Sequence, residues 1–135
     1  MTYNATIIED SIAKGARLTT FEVTFPRFIL AEVNTHRVLT KSSASSRAIP
    51  VKKRIETVRA NTFVPEAFAL NVRGMQAGDL LTVEEQQKAQ AIWLSACESA
   101  CIHAEQMEAL GVHKQWANRL LEPFMWQTCV ITGTE

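Results

Sequence analysis

The thirteen residues from Thr35 to Arg47 read Thr-His-Arg-Val-Leu-Thr-Lys-Ser-Ser-Ala-Ser-Ser-Arg, with one histidine, two arginines and six hydroxyls in a single polar stretch. A guanidinium offers a planar, permanently charged fork of donors, and serine and threonine add short hydroxyl donors. Phosphate oxygens take several charge-assisted hydrogen bonds at once, so this donor set suits a phosphate or a similar oxyanion. It does not suit covalent catalysis: neither Ser45 nor Ser46 has a recognisable general base nearby. Nor does it suit a metal, because the histidines and cysteines lack zinc-site spacing. Composition alone leaves a second reading open, a solvated loop with incidental arginines.

The surrounding elements must position this segment. It has no apolar period and reads as a loop. Ahead of it, Ala5–Glu9 is a short strand candidate, Lys14-Gly15 a turn, and Leu18–Phe25 alternates strictly. Phe21, Val23 and Phe25 take one face and Thr20, Glu22 and Thr24 the other, as in a half-buried strand. Pro26 opens a short helix over 27–34. After the loop, Pro50 starts a helix with Val51, Ile55 and Val58 on its apolar side, leaving Lys52, Lys53 and Arg54 to a solvated face. Residues 61–81 are irregular, and an irregular stretch of that length is disordered or functional. Thr82-Val83-Glu84-Glu85 forms a capping box that opens a helix running to about Leu110, with Gly111 as its terminator. Along it Ala89, Trp93, Ala96, Ala100, His103, Met107 and Leu110 form an apolar seam, His103 being a packing histidine. A second short helix spans 112–121, and Phe124–Ile131 reads as an apolar strand buried on both faces.

Chain length fits one domain with a respectable core. Hydrophobic content of 47% with 21% charged residues is that of a globular protein. No apolar run approaches membrane-helix length and no signal-peptide pattern follows Met1, so the expected location is the cytoplasm. Three cysteines read as reduced, packed thiols. The zero net charge is uneven: residues 1–75 hold eleven Lys/Arg against six Asp/Glu, and residues 76–135 three against eight. Either an anionic ligand for the first half or self-complementary association follows from that asymmetry.

The order of the loop residues adds a resemblance. The segment is similar to the signature of the flavin-dependent thymidylate synthases, R-H-R-x-x-S-x-N-x-x-S-x-R. His36, Arg37, Ser45 and Arg47 fall on its letters, Thr40 keeps a hydroxyl where the family has serine, and Thr35 and Ser42 depart from arginine and asparagine. Phe25-Pro26-Arg27-Phe28-Ile29-Leu30-Ala31-Glu32 resembles the approach to that signature, with Glu32 in place of glutamine. Thr-His-Arg, Ser-Ser-Arg-Ala-Ile-Pro and Leu-Leu-Glu-Pro-Phe are like phage-encoded members. The resemblance implies an α/β (α+β) domain with a mainly antiparallel twisted sheet flanked by helices and one long helix at about 83–110. It implies reductive methylation of dUMP to dTMP, with methylenetetrahydrofolate as carbon donor and reduced FAD, regenerated by NADPH, as hydride source. Thr35, His36 and Arg37 would contact flavin. Glu32, Ser43, Ala44, Ser45, Ser46 and Arg47 would contact dUMP, and Arg119 would substitute for a family arginine that aligns with Asn118. The family's active sites lie between subunits of a homotetramer, and its polypeptide continues into helical segments with further ligand contacts beyond the equivalent of Glu135. Two other readings stand beside this one. One is a nucleotide- or flavin-binding module without turnover. The other is a small nucleic-acid-binding protein, although no helix-turn-helix, zinc knuckle or aromatic platform supports it.

Overall fold

The structure is a computed structural model and describes residues 2–134. Strands β1 (Asn4–Ala13) and β2 (Ala16–Pro26) form a long hairpin. Its two-residue turn is Lys14-Gly15, both at positive φ (53° and 79°), the turn geometry whose twist matches the flanking strands. A 3-10 turn (Arg27–Ile29) leads into the single-turn helix α1 (Leu30–Val33). Then come β3 (Thr40–Ser43), α2 (Val51–Ala60), the long helix α3 (Val83–Ala109), α4 (Lys114–Arg119), a second 3-10 turn (Glu122–Phe124) and β4 (Trp126–Thr134). The sheet is antiparallel throughout, in the order β1-β2-β4-β3. The expected architecture, an antiparallel sheet with helices and one long helix, is present.

Pairing of β2 with β4 places Phe25 opposite Gln127, Val23 opposite Cys129 and Phe21 opposite Ile131 on one face. Thr20 and Thr24 meet Thr132 and Thr128 on the other, hydroxyl to hydroxyl at 2.9 and 3.1 Å. The alternation read in β2 is therefore real. For β4 the expected two-sided burial does not hold: Gln127 and Cys129 are buried while Thr128 and Val130 are exposed. The helices pack chiefly on one another.

The core joins Val51, Ile55 and Val58 of α2 to Cys97, Cys101 and Ala104 of α3 and to Ala117, Leu121, Phe124 and Met125. Burying a leucine-sized side chain contributes about 1.5–3 kcal/mol, and Leu121 is fully enclosed. The seam of α3 is rotated from the one expected: Cys97, Cys101 and Ala104 face inward with Trp93, Ala100 and Met107, whereas Ala96, His103 and Leu110 are exposed. Both sides of this helix carry small or apolar residues, so stepping by threes and fours fits two faces equally well. Its ends are as read. Thr82 Oγ1 accepts from the Glu85 amide, Glu85 reaches back to Thr82, and Gly111 turns the chain at φ 79°.

The irregular stretch 61–81 is pinned at Phe63 and Phe68. Phe63 N–H donates to Phe124 O (2.9 Å), and Trp93 Nε1 donates to Phe63 O (2.7 Å). The Gln86 side chain clamps both the N–H and the carbonyl of Phe68. Rings of Phe28, Phe63, Trp93, Phe124 and Trp126 meet edge-on at centroid distances of 5.3 to 6.2 Å, joining the helices to the end of the sheet. No helix among the described residues is long and apolar enough to cross a membrane. Likewise, no cluster of metal-ligating side chains occurs among them.

Candidate functional site

The segment 35–47 is not a single loop. Its centre is the edge strand β3, with Ser42 opposite Val130 and Ser43 opposite Cys129. An edge strand with solvent on one side has no need of apolar alternation, so a polar run such as Thr-Lys-Ser-Ser gives no periodic signal. Two turns flank it. The first holds Thr35, His36 and Arg37, the second Ser45, Ser46 and Arg47. Roughly 13 Å of strand lies between them at about 3.3 Å per residue.

In the first turn, Thr35 Oγ1 donates to Glu32 O (2.6 Å), and Lys41 Nζ donates to the carbonyls of His36 and Leu39. These bonds close the turn and leave the side chains of His36 and Arg37 exposed, without side-chain partners among the described residues. Glu32 is exposed on α1.

The second turn is held from beneath by charged and amide side chains. Arg27 donates to Ala44 O (3.1 Å) and to Gln127 Oε1 (2.7 Å), and lies 3.5 Å from Glu122. Glu122 in turn accepts from Ser46 Oγ at 2.6 Å. Asn118, fully buried, donates to Ser46 O (3.0 Å) and Ile49 O (2.7 Å). Arg54 Nη2 reaches Ser45 O at 3.4 Å. The backbone of 44–49 is thereby fixed while Ser43, Ser45 and Arg47 remain exposed on its outer side. Ser46 is different: it is buried and its hydroxyl is committed to Glu122. Arg119 stands exposed on α4 with its guanidinium 5.5 Å from the centre of the Trp116 ring.

Arg54 corrects the reading of 52–54 as a solvated face. Lys52 and Lys53 are exposed, but Arg54 is buried at 8% exposure, next to Ile55 and one helical turn before Val58. No carboxylate among the described residues forms an ion pair with it, and its Nε has no acceptor. Burial lowers its affinity for a proton below the usual arginine value, the charge of Arg27 adds to this, and Glu122 opposes it. A buried cation is costly unless paired, and here the bond to Ser45 O and the charge of Glu122 offset part of that cost.

Arg27, Arg54, Asn118, Glu122 and Gln127 were not legible as site residues. Arg27, Asn118 and Glu122 lay in motif-like stretches, but nothing local in the sequence announces that they converge. Around them the charge is strongly positive: residues 27–54 hold seven Lys/Arg against Glu32 alone. A cleft of about 230 Å³ opens between α2 and β4 against Ala44 and Ile49. His36, Arg37, Ser45 and Arg47 do not line it. Hence the single chain brings the second turn and its supports together but leaves the first turn apart from them.

The fold has a counterpart among solved structures. A UMP/dUMP methylase, PolB from Streptomyces cacaoi, solved with 5-Br UMP bound, superposes with a TM-score of 0.77 at 16% identity, over 98% of this chain and 71% of that one. The chain has the fold of PolB. A further PolB structure, with 5-Br dUMP, matches at a TM-score of 0.67 and 18% identity over 87% of this chain and 49% of that one. No protein-family model and no curated protein sequence matches the chain. At this identity the PolB likeness is one of backbone, and side-chain roles must come from the residues themselves.

Proposed function

We propose that this protein is a pyrimidine-nucleotide methylase of the flavin-dependent thymidylate synthase type, converting dUMP to dTMP. The observation that carries the reading is the second turn: Ser43, Ser45 and Arg47 face outward on a backbone that Arg27, Asn118 and Arg54 hold from below. Preset donors of this kind bind an anionic ligand without having to be ordered first. The sequence order of the segment and the PolB fold support the same reading.

Within it, Arg47 binds the nucleotide phosphate or ring oxygen, and Ser45 adds a hydroxyl. Arg27 and Asn118 position the turn. Glu122 holds Ser46 in place, which makes Ser46 a support of the turn through its backbone. The exposed imidazole and guanidinium of His36 and Arg37 fit the anionic part of a dinucleotide such as FAD, being cationic or donor groups with no competing partner. A bound flavin would supply the hydride, and methylenetetrahydrofolate the carbon, with NADPH restoring the reductant. This chain's residues supply position and charge. Because the two turns stand at opposite ends of β3, a flavin at one and dUMP at the other come together across two chains. A homotetramer, expected from the resemblance, satisfies this geometry, and the exposed Ile92 and Leu110 on the outer side of α3 offer apolar contact area.

The separation of the turns also favours a second reading, a nucleotide- or flavin-binding module without turnover. One preparation distinguishes the two. The purified protein is examined for bound flavin, titrated with dUMP, and assayed for dTMP with methylenetetrahydrofolate and NADPH. dTMP formation supports the methylase. Flavin that responds to dUMP without dTMP supports the module, and a colourless protein indifferent to dUMP refutes both.

A further inference from the structure

One charged group at the first turn has no part in the ligand contacts proposed so far. Lys41, the second residue of β3, sits half-buried opposite Ile131 and folds its ammonium back into the turn. Its Nζ donates to His36 O and, at 3.1 Å, to Leu39 O. The His36 carbonyl also accepts from the Leu39 N–H at 3.3 Å, so the ammonium ties together the two ends of the loop that carries Arg37. No other side chain from outside the turn bonds to its backbone among the described residues. Nor does any carboxylate among them form an ion pair with Lys41. In this it differs from Arg27, which supports the second turn with Glu122 beside it. A neutral donor would close the turn equally well. An ammonium bonded only to carbonyls leaves its full charge uncompensated, and with three N–H donors it keeps one to spare. That charge lies beneath the exposed side chains of His36 and Arg37, where its field acts on whatever binds them.

We infer that Lys41 is a positioning residue of the dinucleotide site. It fixes the backbone from which His36 and Arg37 project, and it adds an unneutralised positive charge that draws the pyrophosphate of FAD towards them. The inference rests on the reading of the first turn as the FAD site.

Two variants separate the charge from the bond. Lys41→Gln keeps a donor on the side chain but removes the charge, and Lys41→Met removes both. FAD affinity is read by quenching of flavin fluorescence in the native protein and in each variant, and dUMP affinity is read separately without FAD. At about 0.01 M salt, where a charge acts over ~30 Å, both variants are expected to bind FAD about tenfold more weakly than the native protein. At about 1 M salt, where it acts over ~3 Å, the gap between native and Lys41→Gln is expected to narrow to about threefold or less. Hydrogen exchange of the 36–39 amides is expected to quicken in Lys41→Met. dUMP affinity is expected to stay unchanged, because the supports of the second turn are untouched. FAD affinity equal to native in Lys41→Gln at low salt overturns the inference and leaves the FAD reading standing. A tenfold gap that persists undiminished at high salt also overturns it, since Lys41 would then act through the fold alone. A native protein that binds no FAD overturns the reading of the first turn, and the inference with it. Lys41→Gln keeps the test open even if Lys41→Met does not fold.

Discussion

Replacing Asn118 by alanine tests how the Arg47 turn is held. The side chain is fully enclosed, and its Nδ2 donates to two carbonyls, Ser46 O at 3.0 Å and Ile49 O at 2.7 Å. Truncation leaves both carbonyls without that donor and opens a void beneath the loop. A buried hydrogen bond contributes about 1 kcal/mol net, and leaving a partner unsatisfied costs about 1–3 kcal/mol. The orphaned Oδ1 of Asn118 works the other way, since its removal relieves an unpaired acceptor. The expected loss is about 2–4 kcal/mol, or a fall in melting temperature on the order of 10 °C. Urea unfolding of both proteins at 25 °C reads it as a lower midpoint at unchanged slope. The same variant is expected to weaken dUMP binding more than flavin binding, because only the second turn is loosened. A loss below about 0.5 kcal/mol, the level of an ordinary surface change, would refute the claim that Asn118 anchors the turn.

Three further outcomes follow from the packing. Trp93→Phe keeps the ring among Phe63, Phe68 and Phe124 but removes the donor to Phe63 O, and is expected to cost about 1–3 kcal/mol in urea unfolding. Arg59 bridges Glu98 and Glu105 at 2.8 and 2.7 Å on a half-exposed surface, so Arg59→Met should cost at most about 1 kcal/mol, and less in high salt. Burial, with Cys97 adding, pushes the Cys101 thiol up from 9.0 to about 11. Its neutral form is favoured in the fold, so that stability is full below pH 9 and is lost as pH rises through about 11. In the native protein Cys101 is expected to resist alkylation at pH 8, and mass spectrometry of the labelled protein checks this.

What the sequence disclosed depended on how local the cause was. The capping box at Thr82 and Glu85, the stop at Gly111, the Lys14-Gly15 turn and the alternation of β2 each arise from a few adjacent residues. All four were readable. The rotation of α3 was not, because it depends on where α2 and α4 arrive. The burial of Arg54 was hidden for the same kind of reason: a basic triplet reads as solvated until its helix is laid against β4. β3 escaped notice because an edge strand needs no apolar rhythm. Motif order marked Ser45 and Arg47 as a ligand-facing turn and took in Arg27 and Glu122 without assigning them a role, while Gln127 lay outside it. Arg27 and Glu122 meet the turn across 17 and 76 positions of chain, and Gln127 holds Arg27 across 100.

Calorimetric titration of dUMP into the native protein and into Arg47→Ala tests the central claim most directly. Saturable binding to the native protein, at least about tenfold weaker once the exposed guanidinium is removed, is the predicted result. Absence of dUMP binding to the native protein, or equal affinity in both, would contradict it.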